Sequence, residues 1–318
     1  MNVAGGSVGS LSLLVAVLFA ATACASHRPP GTNPRLPKPG LSVEVDGVHL
    51  NYTQSLRAND DQPTLVLVHG FGASLDAWND IYPALAAGRS VVRLDLKGSG
   101  FSDKPRDGRY APEDQARLLL GFLRVLELRR VVLIAHSLGG GIAIVATLRN
   151  AAEASGPRIE GLVLIDPAGY PQRFPSFITA LRNPLLRFLS RAASPEFKAR
   201  YVLMHSFALK ARVTDERVQR YAYFLKRPGT EDALEATATS LSYGTVDEFS
   251  SQLSGLKIPT LIVWGGRDPV FAVSQAAFFH QAISHSVVEV LPDSGHVPHE
   301  EQPEATLEVL QRFLSSPR

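Results

Sequence analysis

The chain has 318 residues, 45% of them hydrophobic and 19% charged, with a formal net charge of +2. This is globular composition with length enough for one large α/β core, and the near-neutral balance gives no electrostatic basis for binding nucleic acid. The one cysteine, Cys24, excludes an intrachain disulfide and a cysteine-built metal site.

In chain order the first element is an apolar run, "LSLLVAVLFAATA" (11–23), too short to span a bilayer and of the size of a signal-peptide core. The small residues of "ATAC" directly before Cys24 resemble a bacterial lipoprotein box, in which the cysteine becomes the lipidated N-terminus. Cleavage at an A-x-A site after Ala23 or Ala25 is an alternative, since no Lys or Arg precedes the run and Ala21 stands where such boxes most often carry leucine. An uncleaved anchor is a third. Residues 1–25 are therefore expected to be a signal peptide, lipoprotein signal or anchor, which implies an exported, envelope-bound or secreted protein. Residues 26–40, "SHRPPGTNPRLPKPG", contain five prolines and suggest an extended tether.

The folded domain is expected over 41–318. "LSVEVDGVHLNYT" alternates apolar and polar residues on both sides of Asp46-Gly47, which predicts a hairpin with one solvated face. Six continuous apolar runs follow: "TLVLVHG" (64–70), "VVRLDL" (91–96), "VVLIAHS" (131–137), "GLVLID" (161–166), "TLIVWGG" (260–266) and "VVEVLP" (287–292). Such runs mark strands buried on both faces, and helical stretches such as 112–128 separate several of them. The pattern predicts a mostly parallel central sheet of about eight strands with helices on both faces and ligands at the strands' carboxyl ends. From about 170 to 250 the spacing is helical, for example Val218, Tyr221 and Leu225, which predicts a helical cap inserted after a strand's carboxyl end.

"VVLIAHSLGGGIAIVA" (131–146) carries the chemistry. A strand that turns sharply into a helix through small residues lifts Ser137 to the sheet's carboxyl edge, in front of unpaired helix N–H groups: a nucleophile elbow. At these residues the chain resembles the α/β-hydrolase family, over roughly residues 41 to 316. The family's elbow is usually G-x-S-x-G, and here Ala135 takes the first glycine's place.

A serine hydroxyl needs an imidazole to take its proton and a carboxylate to hold that imidazole. The resemblance implies the order nucleophile, acid, histidine. Asp268, in the turn after "TLIVWGG", and His296, after "VVEVLP", fit it. Asp166, at the end of "LVLID", is the rival acid. His299 is expected to be a helix-start or surface group, and Asp293 lies too near His296 in the chain to orient it. The family also implies an oxyanion hole from the backbone N–H groups of Phe71, in "HGFG", and Leu138. His69 and His136 are expected to be structural. In "DLKGSGFSDKP", Asp95, Gly98 and Gly100 are expected to be scaffolding that braces the elbow, and Lys97 stands where the family often has proline or arginine.

The expected activity is hydrolysis of carboxylic esters through a Ser-His-Asp triad and an acyl-enzyme, on a small-molecule ester or lipid-like substrate, with no cofactor and no metal. Carbon–carbon bond hydrolysis, lactonase or perhydrolase activity on the same fold, and a catalytically silent envelope binding module, are the alternatives. Apolar residues of the insertion, among them Phe174, Phe177, Leu185, Phe188, Tyr221 and Phe224, suit an acyl or aryl group, although most are expected to be packing.

Overall fold

A computed structural model describes residues 36–58, 60–153, 156–171, 175–242 and 246–316 of the protein. The apolar run 11–23, Cys24 and most of the proline-rich tether lie outside the described residues. Asp46 and Gly47 take φ values of +50° and +77°, the left-handed pair that a two-residue hairpin turn requires, and join β1 (Leu41–Val45) to β2 (Val48–Ser55). Val45 pairs with Val48 and Leu41 with Tyr52, so Leu50 and Tyr52 face inward while His49 faces water.

The sheet continues through β3 (Thr64–Val68), β4 (Val91–Leu94), β5 (Arg130–His136), β6 (Arg158–Ile165), β7 (Thr260–Gly265) and β8 (Ser286–Leu291). The eight strands run in the order β1-β2-β4-β3-β5-β6-β7-β8, with β1 and β2 antiparallel to their neighbours and the rest parallel. Period-two geometry splits the apolar runs between two cores. Val66 and Val68 pack with Phe122, Leu133 and Ile142 on one face, and Leu65 and Leu67 with Trp78, Ile81 and Leu310 on the other.

The helices covering these cores are α1 (Tyr82–Gly88), α2 (Pro112–Val125) and α3 (Leu138–Ala151), followed after the insertion by α10 (Gln275–Ala282), α11 (Pro298–Glu301) and α12 (Pro303–Ser315). The α2 helix ends earlier than its apolar spacing suggested. Glu127 adopts φ +52° and Leu128 N–H returns to the Leu123 carbonyl at 2.9 Å, a left-handed stop after the helix.

Two expectations about strands need correction. β6 begins at Arg158, three residues before its apolar run, because Arg158 pairs with Arg130 at the start of β5. β8 is not buried on both faces: it is the sheet's edge and pairs only with β7, which leaves Val287 and Val290 exposed.

Among the described residues, six α-helices lie between β6 and β7: α4 (Ser176–Arg182), α5 (Pro184–Ser190), α6 (Pro195–Ser206), α7 (Asp215–Leu225), α8 (Thr230–Ser240) and α9 (Val246–Leu253). Pro184 and Pro228-Gly229 divide them; Asn183 caps α5 by accepting from the N–H groups of Leu185 and Leu186. The insertion packs across the carboxyl ends of the strands. Phe177 lies by Phe71 in the loop after β3, Phe224 packs edge-on against Phe101 after β4, and Ser206 O accepts from His296 N after β8. Among the described residues no helix is long and apolar enough to cross a membrane.

Candidate active site

The elbow forms because β5 and α3 share a single hinge residue. Ser137 sits at φ +50°, ψ −120°, a conformation that costs a non-glycine residue on the order of 1–3 kcal/mol and persists only when its surroundings enforce it. They do so tightly. A Cβ on Gly139 would stand 2.5 Å from the His69 carbonyl oxygen, so only glycine lets α3 approach β3 there. Ala135 is wholly buried in the strand, paired with Val68 and Leu164, and its methyl group is accommodated where the family usually has glycine. Ser137 O accepts from the N–H groups of Gly140 and Ala168, which ties the start of α3 to the loop after β6.

Ser137 Oγ lies 3.0 Å from His296 Nε2, and His296 Nδ1 lies 2.9 Å from Asp268 Oδ2. With Nδ1–H donating to the carboxylate, Nε2 is left as an acceptor facing the hydroxyl. The Asp268 side chain is fully buried, and its other oxygen accepts from the N–H groups of Val270 at 2.7 Å and Phe271 at 3.0 Å. Phe271 meets the His296 ring edge-on at 5.0 Å and holds its plane. Asp293 instead pairs with Arg267 at the surface.

The loop after β3 carries Phe71 and the first turn of α3 carries Leu138. Neither backbone N–H donates to another group among the described residues, so both are free to meet an anionic oxygen at the elbow. Asp95 fixes the first of these loops: its Oδ1 accepts from Leu75 N–H, and its Oδ2 from Asn51 Nδ2 and Phe101 N–H. Gly100, at φ +51°, is required here because a Cβ would collide with that carboxylate at 2.0 Å. His69 donates from Nδ1 to Gly70 O and accepts at Nε2 from Leu96 N–H, and burial holds its pKa down. The Asp95 loop therefore braces the Phe71 loop, through Leu75 N–H and the His69 ring. Lys97 is a buried clamp, with Nζ 2.7 Å from both Asp107 oxygens and 2.9 Å from Arg109 O.

His136 does more than point away from the hydroxyl. Its Nε2–H donates to the His296 backbone carbonyl at 2.7 Å, so consecutive elbow residues grip His296 at its carbonyl and at its ring. Burial, then the neighbouring His299 and His296, push the His136 pKa well down, which keeps the ring neutral. His299 stands at the start of a helix, one of the two places expected for it, but it is not at the surface. It is completely buried in α11, its ring 4.5 Å from Trp78 and 4.7 Å from His136, and burial with the nearby Arg217 charge pushes its pKa down to about 3.

Two residues of this region, Glu300 and Glu301, are not marked by any hydrolase motif. Glu301 accepts from Gly295, Ala208 and Leu209 N–H at 2.7–2.8 Å, fastening the His296 loop to the end of α6. Glu300, fully buried, takes Arg217 and Arg220 of α7 and the Tyr221 hydroxyl at 2.5 Å. Burial opposes the Arg217 charge, yet Glu300 and Asp80 together push its pKa up. The signal available in sequence was an adjacent acidic pair four and five residues beyond His296. Of the apolar insertion residues named above, Phe177 lies by Phe71, Tyr221 and Phe224 pack inside, Leu185 and Phe188 are exposed, and Phe174 lies outside the described residues.

A family model described as alpha/beta hydrolase fold matches residues 63–303. The chain belongs to the α/β-hydrolase family. It is 28% identical over 276 residues to the uncharacterized hydrolase YugF of Bacillus subtilis, covering 85% of this chain and 96% of the relative. It is 26% identical over 239 residues to 2-hydroxymuconate semialdehyde hydrolase of Pseudomonas sp. (strain CF600), covering 73% and 80%. Among solved structures, a membrane phospholipase A superposes with a TM-score of 0.68 at 28% identity, covering 96% of this chain and 91% of that one.

Proposed function

We propose that this α/β-hydrolase is a serine hydrolase of carboxylic esters, acting through an acyl-enzyme with Ser137 as nucleophile, His296 as base and Asp268 as its orienting acid. The observation that carries the reading is the unbroken line from Asp268 through His296 to the Ser137 hydroxyl, at 2.9 and 3.0 Å, ending beside two backbone amides that have no acceptor among the described residues. As Ser137 Oγ attacks the substrate carbonyl, His296 Nε2 takes the hydroxyl proton and Asp268 stabilises the imidazolium. The carbonyl oxygen becomes an oxyanion held by the Phe71 and Leu138 N–H groups, each contributing about 10²-fold or more in rate. His296 then gives the proton to the departing alcohol, and water repeats the sequence to free the acid.

The membrane phospholipase A neighbour supports an acyl ester or lipid-like substrate for this chain. The resemblance to 2-hydroxymuconate semialdehyde hydrolase favours a second reading, hydrolysis of a carbon–carbon bond next to a ketone, which the same three side chains also serve. Assaying a chain-length series of p-nitrophenyl esters beside lactones and ring-opened aromatic ketones separates the two. Ester turnover that falls at least about 10³-fold in Ser137→Ala supports the proposal, and turnover of the ketones alone sinks it. We further propose that residues 1–25 export the protein; the intact mass of envelope-extracted protein distinguishes a lipidated Cys24 from plain cleavage or an uncut anchor.

A further inference from the structure

Asp166, the last group of β6, is a carboxyl that the ester-hydrolysis scheme leaves unused, although it faces the group that scheme depends on. It is entirely buried, and its backbone sits at φ +42°, unusual for a residue other than glycine. Its Oδ1 accepts from Gly265 N–H at 2.9 Å, while Oδ2 meets no donor among the described residues. Oδ2 is not facing empty space, because the side chain lies in hydrogen-bonding reach of Asp268, and Asp166, Asp268 and His296 each bring a ring nitrogen or carboxyl oxygen within 4.8 Å of one another.

Two carboxyls this close in a dry interior do not both stay ionised, because like charges there repel too strongly. The donors decide which one keeps the charge. Asp268 accepts from two backbone amides and the His296 ring, whereas Asp166 has the single amide of Gly265. Glu301 adds a further negative charge that pushes the same way, against the single Gly265 amide, which favours the ionised form. Burial first, then Asp268, raises the Asp166 pKa well above its ordinary value. A proton on Oδ2 removes the conflict: it turns an orphan acceptor into a donor and supplies the missing partner.

We propose that Asp166 works as a neutral carboxylic acid that donates a hydrogen bond to the Asp268 carboxylate, making it a positioning residue for the orienting acid. This rests on the reading of Asp268 as the partner of His296. The shared hydrogen bond holds the Asp268 carboxylate in the plane that His296 Nδ1–H requires. It also gives that carboxylate one more donor, so that it orients the ring without taking the ring proton.

The test uses the full chain. Asparagine at 166 reproduces a neutral acid, with its carbonyl toward Gly265 N–H and its amide toward Asp268. Asp166→Asn should therefore keep kcat/KM within about threefold of wild type and leave the acidic limb of the pH–rate profile unmoved. Asp166→Ala, which removes the donor, should lower kcat about tenfold or more with little change in KM. If Asp166 were ionised in the working protein, asparagine would remove a negative charge beside His296 and the limb would shift to lower pH by roughly one unit, overturning the proposal. Loss of activity in Asp166→Asn as deep as in Asp268→Asn would overturn it too. A readout independent of turnover is the infrared carbonyl stretch of a protonated carboxyl near neutral pH, displaced by isotope-labelled aspartate and lost in Asp166→Asn. Its absence from wild type defeats the proposal whether or not the variants fold. Its presence in a protein that turns over no ester would leave the proton in place while the ester reading failed.

Discussion

Replacing Glu301 by alanine should unfasten the loop that carries His296. The carboxylate accepts from Ala208 N–H at 2.7 Å and from Leu209 and Gly295 N–H at 2.8 Å, with a longer contact of 3.4 Å from Val297 N–H. Each buried amide left without a partner costs about 1–3 kcal/mol. Gly295 is buried and carries the full penalty, whereas Ala208 and Leu209 are partly exposed and recover some of theirs from water. Against this, burial raises the Glu301 pKa, so removing the carboxylate also relieves a desolvation cost. The net loss expected is about 2–3 kcal/mol, measured as a shift in denaturant midpoint at constant m-value. The adjacent His296 should lose its register on Ser137 at the same time, lowering kcat on a p-nitrophenyl ester by at least about tenfold. Glu301→Gln, which keeps one acceptor, should fall between alanine and wild type on both scales. A Glu301→Ala variant with stability within about 0.5 kcal/mol of wild type and an unchanged kcat would refute the idea that this side chain holds the loop.

His136→Phe keeps an aromatic ring but loses the bond to the His296 carbonyl, so steady-state kinetics should show kcat reduced by about tenfold and KM little altered. Arg217→Met leaves the buried Glu300 without its nearest cation and should destabilise the protein by about 3 kcal/mol in chemical denaturation; Arg217→Met with Glu300→Leu should recover part of that loss. The pH dependence of stability follows from Asp166. Because its folded pKa lies above the ordinary 3.8, its contribution is fully present below pH 3.8 and declines as pH rises toward the folded value, by about 1.4 kcal/mol per unit. Asp166→Asn has no such decline, so its stability relative to wild type should grow between about pH 4 and pH 6 in denaturation series; parallel curves would contradict this.

Much of the site was legible because its parts sit at strand ends, where apolar runs stop abruptly in the sequence. Ser137, Asp268 and His296 each follow such a run, and the structure brings their side chains into one hydrogen-bonded line. The hairpin was equally plain, since Asp46-Gly47 is one of the few pairs that favour left-handed angles at both turn positions. What escaped was long-range. The partners of Glu301 in the insertion lie more than 90 residues back in the chain, and no periodicity links them. His299 reads as a helix-start or surface residue beside two acids; it does start a helix, yet both acids are themselves buried by cations and amides from the insertion. The exposure of β8 was hidden for a related reason: its apolar run resembles a central strand, and only sheet order reveals an edge. Asp166 looked like a competitor for Asp268, whereas the geometry makes it a neighbour.

The most direct test of the central claim is intact-mass and peptide mapping after reaction with a fluorophosphonate, which labels only a serine whose proton a base removes. The account expects one adduct, on Ser137, absent in Ser137→Ala and slowed at least about 10³-fold in folded His296→Ala. An adduct on another residue, or labelling of Ser137 that proceeds equally fast without His296, would contradict it.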